Sequence, residues 1–176
     1  MNLLVLSASL NPESNSRLLA REAHRTLADA GHAAGFADLR ELALPPCDGA
    51  AAYKHEATAR ARALVAGADG ILVATPIYNY DANAAVKNLI ELTGKAWENK
   101  VVGFACAAGG GSSYMGIMAL ANSLMLDFRC TVVPRFVYAT EADFSGGTIA
   151  NADIARRTQE LAATLARYTA ALRVAG

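Results

Sequence analysis

The chain lacks an excess of either charge. Sixteen Lys+Arg meet 16 Asp+Glu for a formal net charge of +0 at pH 7, and the pI is about 6.8. That balance gives no support to nucleic-acid binding or polybasic membrane docking, which usually draw on an excess of positive charge. Charge is also scarce, at 18% of residues against 53% hydrophobic, which excludes a disordered polyampholyte. Long apolar runs are missing: none approaches the roughly 18 residues that a membrane span needs. Cysteine is sparse. Cys47, Cys106 and Cys130 are odd in number and widely spaced, with no Cys-x-x-Cys pair and no nearby His to complete a zinc site, so reduced thiols are expected. Residues 2–6 are apolar but follow no positively charged stretch and lead into a Ser/Asn loop, so the expectation is a cytoplasmic protein without a secretory leader. Three nucleotide and hydrolase signatures are absent as well. There is no Gly-Lys-Ser/Thr, no Gly-x-Gly-x-x-Gly after the first apolar run, and no Gly-x-Ser-x-Gly.

What is present is alternation. Apolar runs at 3–6, 71–74, 101–105 and 131–138, the last interrupted by Pro134, read as strands buried on both faces, with a weaker one at 32–39. Between and after them, residues 16–30, 56–66, 82–93, 113–128 and 151–171 read as helices. Strand and helix alternate five times, the pattern of a parallel sheet covered on both faces. The expected fold is an α/β doubly wound, five-stranded parallel sheet in the order 2-1-3-4-5. With 176 residues and no repeat, linker or charge block, residues 1–176 are expected to form a single domain. Residues 40–54 read as a loop, marked by Pro45-Pro46 and Asp48-Gly49.

Ligands of open α/β sheets bind beyond the carboxyl ends of the strands, and three segments there are unusual. Residues 7–16 hold four hydroxyls (Ser7, Ser9, Ser14, Ser16) and two amides (Asn11, Asn15) before a helix that opens near Arg17. This is an anion site built from hydroxyls and first-turn N–H groups, with Arg17 available to add charge; alternatively, Ser14 or Ser16 serves simply as the helix cap. After the third strand come Pro76, Ile77, Tyr78, Asn79 and Tyr80. These supply flat aromatic faces and, at Asn79, a donor and acceptor suited to a heterocycle's imide edge; the plain alternative is a turn with two ordinary tyrosines. After the fourth strand, Ala108 leads into Gly109, Gly110 and Gly111, which let backbone N–H groups approach a ligand closely, where a flexible linker would be the alternative. Together the three loops suit a phosphorylated planar heterocycle.

In these loops the sequence resembles the NAD(P)H-dependent FMN reductase family, a branch of the flavodoxin-like flavoproteins, over nearly the whole chain. Members carry a first loop similar to Gly-Ser-Leu-Arg-x-x-Ser-x-Asn, matched by Ala8-Ser9-Leu10-Asn11-Pro12-Glu13-Ser14-Asn15-Ser16. Their second loop resembles Pro-x-Tyr-Asn followed by Leu-Lys-Asn, matched by Pro76-Ile77-Tyr78-Asn79 and Val86-Lys87-Asn88, and a Gly-Gly loop matches Gly109-Gly110-Gly111. The resemblance implies that Ser9, Ser14 and Ser16, with Asn11 and Asn15 in the same loop, hold the FMN phosphate. Pro76, Ile77, Tyr78, Asn79 and Ala108 to Gly111 would line the isoalloxazine. It implies FMN as cofactor, NADPH or NADH as co-substrate, a small acceptor such as a flavin, quinone or azo compound, and a homodimer or homotetramer. Two positions depart from the family pattern. Asn11 replaces its loop arginine, which removes charge from the phosphate site, and Asn83-Ala84 replaces the Ser-Gly that often precedes the second helix.

Hydride transfer between nicotinamide and flavin is the cofactors' own chemistry, so no acid, base, nucleophile or metal ligand is assigned. His24, His32 and His55 read as structural or solvated, and Cys106 as a small buried hydrophobe. The helix at 113–128 is apolar almost all round, which suits either deep burial or a subunit interface. Two further readings stand beside the reductase: an electron carrier and a regulatory module that has lost its cofactor. Carriers of this fold have a Thr/Ser-x-Thr-Gly-x-Thr loop and a strongly acidic surface, and this chain has neither.

Overall fold

The computed structural model describes residues 1–173, so the last three residues of the expected 1–176 domain lie outside the described residues. Its frame is four long parallel strands: β1 (Asn2–Ser7), β2 (Ala33–Asp38), β3 (Gly70–Tyr78) and β5 (Val101–Ala108). Alternation along them divides the interior in two. Leu4, Leu6, Ile71, Val73, Val102 and Phe104 face the core shared with α3 (Glu56–Gly67), α4 (Ala84–Thr93) and α5 (Met118–Phe128). Leu3, Val5, Leu72, Ala74, Val101 and Ala105 face α1 (Asn15–Asp29) and α6 (Ala152–Leu172). Gly70 lets α6 lie close on the sheet, because a Cβ there would stand 2.2 Å from Thr169 Oγ1.

The five-stranded order 2-1-3-4-5 needs correction. The sheet has seven strand segments along the path β2-β1-β3-β5-β6, with β4 paired to β3 and β7 paired to β5. Segment β4 (Asp81–Ala82) turns back antiparallel on the end of β3. The fifth position is divided between β6 (Thr131–Val132) and β7 (Val137–Thr140), both parallel to β5. The division has a local cause: Pro134 has no N–H to give the ladder, and Arg135 takes a left-handed φ of 63°. A small hairpin, β8 (Phe144–Ser145) and β9 (Thr148–Ile149), precedes α6.

Two other segments differ from the sequence reading. Residues 40–54 are not wholly loop: α2 (Leu39–Leu42) follows β2, and the Asp48 carboxylate accepts the Ala50 and Ala52 N–H groups at the start of a 3-10 turn, Ala51–Lys54. Helix α5 begins at Met118 rather than at 113, after a 3-10 turn at Gly111–Ser113.

Candidate functional site

The first loop is organised by a side chain that the sequence suggested for another task. Arg17, in the first turn of α1, is buried, and its Nε–H donates to Asp38 Oδ2 at 2.6 Å while Nη2 reaches Oδ1 at 3.3 Å. Its remaining N–H groups donate to the carbonyls of Ser9 (3.0 Å), Asn11 (2.7 Å) and Pro12 (2.9 Å). The guanidinium therefore holds the loop from behind, which corrects its expected role as a free charge for a ligand. Asp38 stands at the end of β2, opposite Ser7 in the β1–β2 register, so the sheet itself brings the two partners together.

The loop's hydroxyls divide their work. Ser9 Oγ accepts the Asn11 N–H at 3.2 Å, and Asn11 Oδ1 accepts the Glu13 N–H at 3.0 Å, so both shape the turn. Ser14 stands at the N-cap of α1, yet its hydroxyl makes no capping bond; Ser14 Oγ and Ser16 Oγ lie 2.8 Å apart instead. Capping alone does not account for the pair. Two hydroxyls share one hydrogen between them, which leaves a second O–H, beside the first-turn N–H groups of Asn15 and Ser16, for an acceptor from outside.

The second loop is a tight hairpin. β3 runs on through Pro76 and Ile77 to Tyr78, and Asn79 and Tyr80 turn the chain back with φ values of 50° and 67°. Both are left-handed, the requirement of a type I′ turn; a tyrosine there is strained, as residues near binding sites often are. Tyr78 and Tyr80 are exposed and Ile77 is buried. Asn83, one of the two departures from the family pattern, caps α4 through Oδ1, which accepts the Val86 N–H at 3.4 Å and the Thr75 hydroxyl at 3.0 Å. Its Nδ2 donates to the Ala8 carbonyl at 2.7 Å, tying the first loop to the second.

The glycine loop is open by contrast. A Cβ at Gly109, Gly110 or Gly111 would meet nothing within 4 Å. One side chain holds the loop: the Tyr138 hydroxyl on β7 donates to the Gly110 carbonyl at 2.6 Å. Burial pushes the phenol's pKa up, outweighing the help of a nearby Ser113 hydrogen bond, so the group remains a neutral donor. Tyr138 and Phe136 both pack against Tyr114, with ring centroids 5.4 and 5.0 Å away. Gly116 brings this segment onto the hairpin, where a Cβ would stand 3.0 Å from the Tyr80 backbone.

Between the three loops lies a cavity of about 170 Å³. Asn11, Ser14, Asn15 and Ser16 line one side, Pro76 and Tyr78 a second, Ala108 and Gly109 a third. Five of the residues singled out in the sequence stand outside it. Ser9 and Ile77 are buried, Asn79 lies in the hairpin turn, and Gly110 and Gly111 continue the open loop. The cavity also has walls that sequence reasoning missed, namely Glu13, Ala107 and Glu141. Ala107 was readable as the next residue of an apolar strand. Glu141 had no local signal, because it arrives through the pairing of β7 with β5. Its turn is fixed by Asp143, whose carboxylate accepts the Thr140 N–H (2.7 Å) and hydroxyl (3.0 Å) and the Asn151 amide (2.7 Å). Burial raises the Asp143 pKa, but these bonds outweigh it and hold it below the usual aspartate value.

Two histidines and two cysteines have structural duties. His55 Nδ1 accepts the Ala57 N–H as the cap of α3, and His24 bonds the Ala34 carbonyl. Cys106 and Cys130 are buried; burial pushes the Cys106 thiol well above its ordinary value and the Cys130 thiol up to about 11, against the lowering influence of Lys100. Helix α5 buries Leu120, Ala121, Leu124 and Phe128 and exposes Met118, Met125 and Leu126, so burial on all sides is excluded. Among the described residues no helix is long and apolar enough to cross a membrane.

The family model described as NADPH-dependent FMN reductase matches residues 1–144. The chain is 30% identical over 128 residues to an NAD(P)H-dependent FAD/FMN reductase of Geobacillus thermodenitrificans (strain NG80-2), covering 71% of this chain and 69% of that one. Among solved structures it is similar to FerB, a flavoenzyme NAD(P)H:(acceptor) oxidoreductase from Paracoccus denitrificans. That match has a TM-score of 0.80 and 17% identity over 98% of this chain and 99% of the other. An oxidoreductase from Corynebacterium diphtheriae matches with a TM-score of 0.71 and 24% identity, covering 94% of this chain and 97% of that one. At such identities the two structures establish the flavodoxin-like α/β fold.

Proposed function

The chain belongs to the NADPH-dependent FMN reductase family, and from that premise we propose that it reduces a small acceptor, a free flavin, a quinone or an azo compound, with electrons from NADPH or NADH passed through FMN in the three-loop cavity. The observation that carries the assignment is the Ser14–Ser16 hydroxyl pair at the N-terminus of α1, with an O–H and first-turn N–H groups to spare and no capping duty. That donor set suits a phosphate monoester, and the guanidinium behind it, neutralised by Asp38, serves to hold the loop in place. When bound, FMN would supply the two-electron redox chemistry that links a nicotinamide donor to the acceptor.

The protein's part is to bind, orient and stabilise. Asn11, Ser14, Asn15 and Ser16 hold the phosphate, while Ser9 shapes the loop that carries them. Pro76 and Tyr78 would form a wall for one side of the ring, with buried Ile77 and the turn residue Asn79 supporting it from behind. Backbone N–H groups at Ala108 and Gly109 would be available to stabilise negative charge on a reduced ring. No side chain is assigned as an acid or base. The chain works as one FMN-binding domain in the cytoplasm, and its free thiols suit a reducing compartment. The exposed Met115, Met118, Met125 and Leu126 on and beside α5 favour a homodimer or homotetramer.

Titration of the purified protein with FMN and with riboflavin, followed by NADH and NADPH oxidation with and without a quinone, tests the reading. Tighter binding of FMN than of riboflavin, with acceptor-dependent oxidation, is expected. Failure to bind FMN would sink it, and binding without nucleotide oxidation would leave an electron carrier. Light scattering tests the assembly, which a monomeric mass at micromolar concentration would overturn.

A further inference from the structure

Helix α6 and the break between β6 and β7 enclose a second cleft of about 240 Å³, none of whose residues line the first cavity. Four guanidinium groups border it, Arg135 from the break and Arg156, Arg157 and Arg167 from α6, against one carboxylate, Glu160. In a chain of zero net charge, four of the 16 cationic residues gather at this place. Glu160 is already committed, since it and Asp153 both pair with Arg156. Arg135, Arg157 and Arg167 form no ion pair among the described residues. Arg157 reaches only the Phe136 carbonyl at 3.4 Å, and Arg167 lies 5.7 Å from the centroid of the Tyr168 ring.

Guarding a sheet edge against unwanted pairing calls for the Pro134–Arg135 interruption alone. It does not call for two more unpaired arginines on the helix opposite. Arg135 also holds its left-handed backbone at a cost of about 1 kcal/mol that glycine would avoid. Gathering like charges around one cleft raises the energy of the unliganded protein, and a bound anion removes that penalty.

We propose that this cleft binds a small phosphate-bearing polyanion, either an inorganic polyphosphate or the diphosphate of a nucleotide. Arginine forks match phosphate oxygens two at a time.

Calorimetric titration of tripolyphosphate, and separately of ADP, into the protein with FMN in excess tests this, because FMN excludes either ligand from the first cavity. The expected result is one site per chain, weakened at least tenfold between about 50 and about 200 mM salt. Arg135→Ala with Arg167→Ala, both at exposed positions, should lower the affinity at least tenfold, while Arg60→Ala on the exposed face of α3 leaves it unchanged. Tighter ADP binding marks a nucleotide as the source, and tighter tripolyphosphate an inorganic ligand. The same titration of the Ser14→Ala/Ser16→Ala variant should match wild type, which separates this site from the FMN assignment. No binding to the wild type, or equal binding by the Arg135/Arg167 double variant, overturns the proposal.

Discussion

The first loop and the glycine loop flank β3 at the same end of the sheet, and they are held by opposite means. The first is fastened by a buried ion pair, three carbonyl contacts from one guanidinium, and the Asn83 amide. The second has three glycines in open space and one phenol hydroxyl. Pre-ordering a loop removes an entropy cost from binding. The fastened loop therefore suits a fixed, charged group that always enters in the same way. The loosely tethered one suits a flat ring whose surroundings must also admit a second planar molecule and let it leave.

The sharpest way to break this contrast is to unfasten the first loop. Arg17→Ala leaves Asp38 buried without its partner, and the expected loss is about 3–5 kcal/mol of folding stability, read from denaturant unfolding. A loss near that of an exposed pair, below about 1 kcal/mol, would show that the clamp is ornamental. Next in size is Ser14→Ala with Ser16→Ala. Binding of FMN should weaken by about 1.5–3 kcal/mol, or roughly 10- to 150-fold, while riboflavin binding stays put. Equal losses for the two flavins would refute the phosphate role. Tyr138→Phe removes the glycine loop's tether at an expected cost of about 1 kcal/mol. Amide exchange at residues 109–111 should accelerate, and FMN and riboflavin should weaken together, by about fivefold; unchanged exchange would mean that the loop is held in some other way. The smallest effect is expected for Gly110→Ala, where φ is −158° and a Cβ meets nothing. Stability should stay within about 0.5 kcal/mol of wild type, and a larger drop would mean that the loop is less open than its contacts suggest.

The parts of this molecule legible in the sequence are those written locally. Apolar runs marked β1, β3 and β5, and runs of serine, tyrosine and glycine marked the loops beyond them. Features that depend on register were out of reach. Arg17 looked like a charge for a ligand because nothing near it says that Asp38, 21 residues on, will be delivered to it by the β1–β2 pairing. Glu141 reached the cavity by the same kind of long-range pairing. The division of the fifth strand was half visible: Pro134 announced a break, but the left-handed Arg135 did not. The hairpin at Asn79 and Tyr80 was hidden for a local reason, since neither is glycine and a tyrosine there runs against preference.

Asn83 has a consequence for recombination. Its amide joins Ala8 and the entry to α4 across 75 residues, so one side chain couples the two halves of the cavity. A chimera that takes residues 1–30 from one relative and the remainder from another would exchange a loop without the side chain that anchors it. Such hybrids should fold, yet grip their ligand poorly unless position 83 travels with the first segment.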